Sequence, residues 1–112
     1  MKPLVTMRAA LGDPDLFARV LAGESWSLWR LLLIAIVGEP LTAEERTLFE
    51  TLTGRPQEAG QPLEEFWGCF GRRSGKTRAM AVLAAYFGAL CEWTDLLAPG
   101  ERASLPLLSA SV

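Results

Sequence analysis

A glycine-rich basic segment between two apolar runs constrains this chain more than any other feature. Residues 71–77 read Gly-Arg-Arg-Ser-Gly-Lys-Thr, and they lie between the short apolar run 66–70 and a long helical pattern over 78–93. Glycines have no Cβ atoms, so successive backbone N–H groups can converge on an anion there, and the helix that follows adds its positive end. The order strand, loop, helix is typical of a phosphate-binding (P-loop, or Walker A) motif. The segment therefore predicts nucleotide binding.

The individual residues of this loop have distinct expected roles. Lys76 would place a positive charge beside the β- and γ-phosphates, and the Thr77 hydroxyl would ligate Mg²⁺. The consensus has its first glycine one position earlier, where this chain carries Phe70. The alternative is that a basic, glycine-rich turn is only a solvated loop.

The charge distribution supports a local anion site. The chain has a formal net charge of −2, with 11 basic and 13 acidic residues. Four of those 11 basic residues lie close together at the loop: Arg72, Arg73, Lys76 and Arg78. A general nucleic-acid binder would spread basic charge over a whole face, so the pattern disfavours that class.

The rarity of other reactive residues disfavours a zinc enzyme and a Cys-His hydrolase. The sequence contains no His, which removes the commonest general base and the commonest zinc ligand. Cys69 and Cys91 lack Cys-x-x-Cys spacing, and each lies in an apolar run. We expect two buried, free thiols in a reducing cytoplasm.

Helical patterns dominate the chain before the loop. Asp13-Pro14 predicts a helix start, with a helix over residues 14–22. Residues 26–37 are apolar nearly all round and predict a buried helix. A capping box at 42–45 predicts a third helix to about Leu52, ended by Gly54. Residues 54–62 read as an exposed polar linker.

The segment after the linker predicts the start of a parallel sheet. We expect a strand over 65–70, the loop, a helix over 76–93 and a second strand over 104–112, which together form a βαβ unit. The predicted fold class is therefore α/β: N-terminal helices (1–62) followed by an incomplete P-loop NTPase βαβ unit with parallel strands (63–112).

One element of a nucleotide hydrolase is missing from the sequence. Hydrolases of this kind hold Mg²⁺ with an acidic residue at the end of a second apolar strand. The run after the loop ends in Ser109-Ala110-Ser111-Val112. We therefore expect a truncated ATPase core that binds ATP without hydrolysing it.

Residues 66–77, Phe-Trp-Gly-Cys-Phe-Gly-Arg-Arg-Ser-Gly-Lys-Thr, resemble the phosphate loop of the large subunit of bacteriophage and prophage terminases, the ATP-driven motors of viral DNA packaging. In that family an apolar residue commonly replaces the first glycine. Other segments are similar to the N-terminal region of the family: Ser25 to Arg30, Leu41 to Glu45, Thr53 to Arg55 and Leu97 to Arg102. The resemblance covers nearly the whole chain and lacks the family's second acidic ATPase motif, its coupling motif and its nuclease domain.

The resemblance implies a set of site residues, cofactors and partners. It implies that the loop wraps the phosphates of ATP·Mg²⁺ with Gly71, Arg72, Arg73, Ser74, Gly75, Lys76 and Thr77. Lys76 would neutralise phosphate charge, and Thr77 would hold the metal. Arg72 would act as a finger on the γ-phosphate, the alternative being an arginine that only contacts phosphate or faces solvent. Arg55 would stack on adenine, the alternative being that Thr53-Gly54-Arg55 is only a helix end. The implied partners are the terminase small subunit, the portal protein and duplex DNA, in the cytoplasm of a bacterial host cell.

Other classes remain open or are disfavoured. The apolar runs 31–38 and 79–91 fall short of the ~18 uncharged residues of a membrane span, so no membrane association is expected. A small helical interaction or regulatory protein with a relic phosphate loop is the alternative function. A small phosphate-loop kinase is disfavoured, because the acidic strand and the lid arginines are missing.

Overall fold

The computed structural model describes residues 1–71 and 75–106, and within them the chain is mostly helical. The elements in order are β1 (Lys2–Pro3), α1 (Met7–Gly12), a 3-10 turn (Glu24–Trp26), α2 (Ser27–Ile36), α3 (Ala43–Thr53), α4 (Lys76–Ala89) and β2 (Cys91–Glu92). The two short strands pair antiparallel, with Lys2 opposite Glu92 and Pro3 opposite Cys91.

Helix α2 is the centre of the core. Its residues from Leu31 to Ile36 are all buried, as is Trp29, and it contacts α1, α3 and α4. A helix that is apolar nearly all round can be buried in this way only when other elements cover it on several sides. The helix predicted over 26–37 is confirmed. Among the residues that the structure describes, no helix has both the length and the apolar composition needed to cross a bilayer.

Helix α3 begins and ends where its local sequence predicts. The backbone N–H of Glu45 donates to the Thr42 hydroxyl over 3.3 Å, and the Thr42 N–H donates to the Glu45 carboxylate over 2.9 Å. Gly54 ends the helix in the left-handed region with φ 76°, which only glycine adopts without strain. The capping box and the glycine stop are confirmed.

The helix predicted over 14–22 is wrong. Those residues form a series of turns, and the helix lies upstream as α1, capped by the Thr6 hydroxyl, which accepts a hydrogen bond from the Ala9 N–H. The Glu39 carboxylate also accepts from two backbone N–H groups at the start of α1. A cap from more than 30 residues away is a contact that the local pattern at Asp13-Pro14 does not contain.

The predicted exposed linker 54–62 is anchored at one residue. The Glu58 side chain is only 3 % exposed, and its carboxylate accepts hydrogen bonds from Arg46 over 2.7 to 3.2 Å. This ion pair holds the pKa of Glu58 below its usual value, chiefly through the hydrogen bond from Arg46. The linker is therefore fastened to α3 at its middle.

The predicted α/β class, with its parallel P-loop βαβ unit, is wrong. Residues 65–70 form no strand, and residues 104–106 of the second predicted strand are irregular, while 107–112 lie outside the described residues. A strand needs a hydrogen-bonded neighbour, and in the described chain the paired strands are β1 and β2, which run antiparallel. Phe70 instead packs its ring on Trp29, with 4.5 Å between the ring centroids.

Helix α4 ends at Ala89 and not at the predicted Trp93, because the chain then turns to pair with the N-terminal segment. The Leu4 N–H donates to the Leu90 carbonyl over 2.8 Å, and the Tyr86 hydroxyl donates to the Val5 carbonyl over 2.8 Å. The terminal amino group of Met1 pairs with Asp95 at 2.9 Å. We call residues 1–5 with these contacts the N-terminal clasp.

Candidate anion site at the start of helix α4

The start of α4 has the backbone arrangement of an anion-binding helix end. Gly75 adopts the left-handed region at φ 82° and ψ 9°, and its carbonyl accepts the hydrogen bond from the Ala79 N–H over 3.0 Å. No side-chain cap is found for this end within the described residues. The first N–H groups of an α-helix have no intrahelical acceptor and carry the positive end of its dipole. These groups can therefore donate to an anion.

Some of the predicted loop residues lie within the described part of the chain, and the others lie outside it. Gly75, Lys76 and Thr77 lie together where α4 begins, and the Lys76 and Thr77 side chains are exposed. Gly71 is the last described residue before the loop and is exposed, with open space where a Cβ would stand. Arg72, Arg73 and Ser74 lie outside the described residues, so their expected phosphate contacts stay predictions.

Trp26, from the 3-10 turn before α2, packs directly against this loop. A Cβ built on Gly75 would lie less than 3.0 Å from two carbons of the Trp26 ring, closer than real Cβ atoms come. The Arg78 guanidinium lies over the same ring, with its Cζ 5.3 Å from the ring centroid. That distance falls within the range of cation–π attraction. Trp26 therefore contacts both the glycine before α4 and a cation in its first turn.

The contact between Trp26 and the loop is not among the expectations from the sequence, where the segment Ser25 to Arg30, which contains Trp26 and Trp29, is named for its similarity to the terminase family. Nothing in the sequence pattern says which of the two tryptophans reaches the loop. In the structure, Trp29 packs under Phe70 in the core and Trp26 packs against Gly75.

Arg30 binds the backbone directly before the turn that carries Trp26. The Arg30 guanidinium donates to the backbone carbonyls of Leu21 and Gly23, each over 2.7 Å. The backbone N–H of Trp26 also donates to the Gly23 carbonyl, over 3.3 Å. Arg30 belongs to α2, the most buried helix. The turn that carries Trp26 is thus tied to the core through hydrogen bonds to backbone carbonyls.

A pocket of about 630 Å³ lies between α2, α3 and the segment 59–70. Its walls are largely apolar: Leu32, Ala35, Ile36, Phe49, Leu52, Ala59, Leu63, Phe66, Trp67 and Phe70. Thr53, Arg55 and Glu65 add polar groups. Residues 59–70, which form one wall of the pocket, are followed directly in sequence by Gly71. The pocket wall and the loop are therefore consecutive segments of the chain.

The segment Thr53-Gly54-Arg55 serves as a helix end, as its alternative interpretation held. The Gly54 N–H donates to the Glu50 carbonyl over 2.8 Å and closes α3. Arg55 follows and lines the pocket. Its stacking on adenine stays a prediction.

The two cysteines differ in environment. Cys91 is buried as expected, and burial raises the pKa of its thiol. Cys69 is exposed in the wall of the pocket, so the expectation of a buried thiol is wrong there. Across residues 1–71 and 75–106, no group of three or more His, Cys, Asp or Glu side chains is placed to hold a metal ion.

Comparisons with protein-family models, with curated proteins and with solved structures give no match to this chain. The resemblance to terminase large subunits therefore rests on the sequence motifs alone.

Proposed function

We propose that this chain is an ATP-binding part of a terminase large subunit, and that residues 71–77 bind the phosphates of ATP·Mg²⁺. The observation that carries the proposal is the left-handed Gly75 directly before α4, with exposed Lys76 and Thr77 in the first turn. A glycine in this conformation followed by a helix N-terminus is the backbone arrangement that binds phosphate in many unrelated proteins.

The side chains at this end fit the proposed ligand. Lys76 supplies a mobile point charge of the kind that pairs with phosphate oxygens. Thr77 supplies a hydroxyl oxygen, and Mg²⁺ takes oxygen ligands from a protein together with those of substrate phosphates. When bound, the metal would neutralise charge on the β- and γ-phosphates. Both side chains are exposed, so binding requires no opening of the core.

The pocket beside α3 is the proposed place for the adenine base. Its volume of about 630 Å³ lies within the range of ~300–1,000 Å³ of small-molecule sites. Its apolar walls suit a planar ring, and Arg55 can stack on such a ring. The proposal concerns binding, because the residues that carry it, Lys76 and Thr77, are of the types that contact phosphate and Mg²⁺.

A pair of lysine substitutions tests the proposal. Lys2 and Lys76 are the only two lysines, and both are exposed. Lys76→Ala removes a charge-assisted phosphate contact of ~1.5–3 kcal/mol, so titration calorimetry should show ATP·Mg²⁺ affinity reduced about 10- to 150-fold. Lys2→Ala makes the same charge change on β1 and should bind like the wild type. Equal affinity in all three proteins would contradict the assignment of the loop.

A helical interaction protein is the second candidate function. It is favoured by the apolar side chains that remain exposed around the pocket, of which Trp67 is the largest and is 89 % exposed. Apolar side chains gathered around a groove are common at protein–protein interfaces. A stable complex whose affinity does not change with ATP, and that is lost in Trp67→Ala, would favour this function over nucleotide binding.

A further inference from the structure

We infer that Trp26 is a positioning residue for the loop: it holds Gly75 and Arg78 in the arrangement that receives the anion. The inference rests on the proposed function for the nature of the ligand. The contact between Trp26, Gly75 and Arg78 stands on the geometry alone.

The first step concerns Gly75. The Trp26 ring occupies the space in which any other residue at position 75 would place its Cβ. The ring therefore lies directly on the backbone of the residue that precedes α4. If the ring is removed, a cavity opens beside a glycine, the residue with the greatest backbone freedom. The loop should then lose order at its junction with the helix.

The second step concerns Arg78. The Arg78 side chain is exposed, and its guanidinium lies over the Trp26 ring. The interaction keeps a second cation, besides that of Lys76, close to the start of α4. An anion bound there benefits from a cation that is already ordered, because less side-chain entropy is lost on binding.

The third step concerns rigidity. Trp26 can hold the loop only if its own backbone is held, and the two hydrogen bonds from Arg30 to the carbonyls of Leu21 and Gly23 provide that. Helix α2 therefore holds the 3-10 turn in place, and the Trp26 ring on that turn packs against the loop. The ring should also report occupancy, because a ligand that draws on Arg78 changes the surroundings of the indole.

The test uses hydrogen–deuterium exchange in the absence of nucleotide, followed by ATP·Mg²⁺ titration. The variants are Trp26→Ala, Trp26→Phe and Trp93→Ala. Trp93 is a matched control, because it is also a half-buried tryptophan packed against the core but lies beyond the opposite end of α4, where its ring meets Phe87.

Trp26→Ala should speed exchange of the first hydrogen-bonded amides of α4, those of residues 79–82, and weaken ATP·Mg²⁺ binding about three- to tenfold, the loss expected when one ordered cation and its contact become mobile. Trp26→Phe retains an aromatic face for Arg78 but lacks the outer ring atoms that contact Gly75, so it should recover both properties in part. Trp93→Ala should leave exchange at 79–82 and nucleotide affinity as in the wild type. The wild type should show a change in tryptophan emission on ATP addition that is absent in Trp26→Phe.

The outcomes separate the inference from the proposed function. Wild-type exchange at 79–82 in Trp26→Ala overturns the inference, as does faster exchange with unchanged ATP affinity. The same effects in Trp93→Ala as in Trp26→Ala also overturn it, because they would indicate a general loss of stability. If the wild type binds no ATP, the proposed function fails. The exchange data then decide the inference alone, with fast exchange in Trp26→Ala and partial recovery in Trp26→Phe supporting it.

Discussion

Gly75→Ala should destabilise the protein both by straining a left-handed backbone and by overlapping the Trp26 ring. Gly54→Ala should cause only the backbone strain. Both glycines adopt the left-handed region, at φ 82° and φ 76°. A Cβ in that region costs ~1–2 kcal/mol, and the reduced freedom of the unfolded chain returns ~0.4–1 kcal/mol. At Gly54 nothing stands within 4 Å of the added Cβ, so a net loss of about 1 kcal/mol of unfolding free energy is expected there.

At Gly75 the added Cβ also overlaps the Trp26 ring. Overpacking of this kind typically costs ~1–3 kcal/mol, because the ring or the backbone must move. The total for Gly75→Ala is then about 2–4 kcal/mol. Urea unfolding followed by circular dichroism measures both variants, and an unchanged dependence on urea concentration would indicate that the difference lies in stability and not in the unfolded state.

A double-mutant cycle isolates the overlap. In a Trp26→Ala background the added Cβ meets no ring, so Gly75→Ala should cost no more than Gly54→Ala does in the same background. The coupling energy between positions 26 and 75 should be about 1–3 kcal/mol, and that between 26 and 54 about zero. If Gly75→Ala costs the same as Gly54→Ala in the wild-type background, Trp26 does not pack against the loop as described.

Two further predictions concern buried polar contacts. Glu58→Gln should destabilise the protein at neutral pH. The Arg46 pair lowers the folded pKa of Glu58, so the contribution of the pair to the unfolding free energy is present above the unfolded pKa of ~4.3. That contribution disappears as pH falls through the folded pKa. Wild type and Glu58→Gln should therefore converge in unfolding free energy in acid, and a constant difference would contradict the ion pair. Tyr86 is the single tyrosine, and burial raises its pKa, so phenolate absorbance should appear only well above pH ~10. Tyr86→Phe should cost ~1–3 kcal/mol by leaving the Val5 carbonyl without its donor, whereas an equally stable variant would contradict that bond.

The parts of the fold that were predictable are those specified by neighbouring residues. Helix α3 has its start signal at Thr42 and Glu45 and its stop signal at Gly54, and each signal acts within about one helical turn. The start of α4 at Lys76, directly after Gly75, was predictable for the same reason. The prediction at 14–22 was wrong because those residues form turns and the helix lies at Met7–Gly12, where the Thr6 hydroxyl caps it and the distant Glu39 carboxylate accepts two further N–H groups.

The aromatic run at 65–70 shows a different limit. Its composition fits a strand, and periodicity over so few residues cannot distinguish a strand from an irregular segment that packs its rings on a helix. Contact between Phe70 and Trp29 decides the outcome, and it depends on where α2 lies. The same holds for the site: Lys76 and Thr77 could be identified from the motif, while Trp26 could be identified only from the structure.

The N-terminal clasp has a consequence for the order in which the protein folds. Its contacts join residues 1–5 to residues 86–95, at sequence separations of up to 94. Closing a chain loop costs entropy that grows with its length, by about 0.6 kcal/mol for each doubling, whereas helices α2 and α3 meet across a short connection. The α2–α3 pair should therefore form early and the clasp late. The far end of helix α4 should therefore reach its final position only once the first residues of the chain have docked on it.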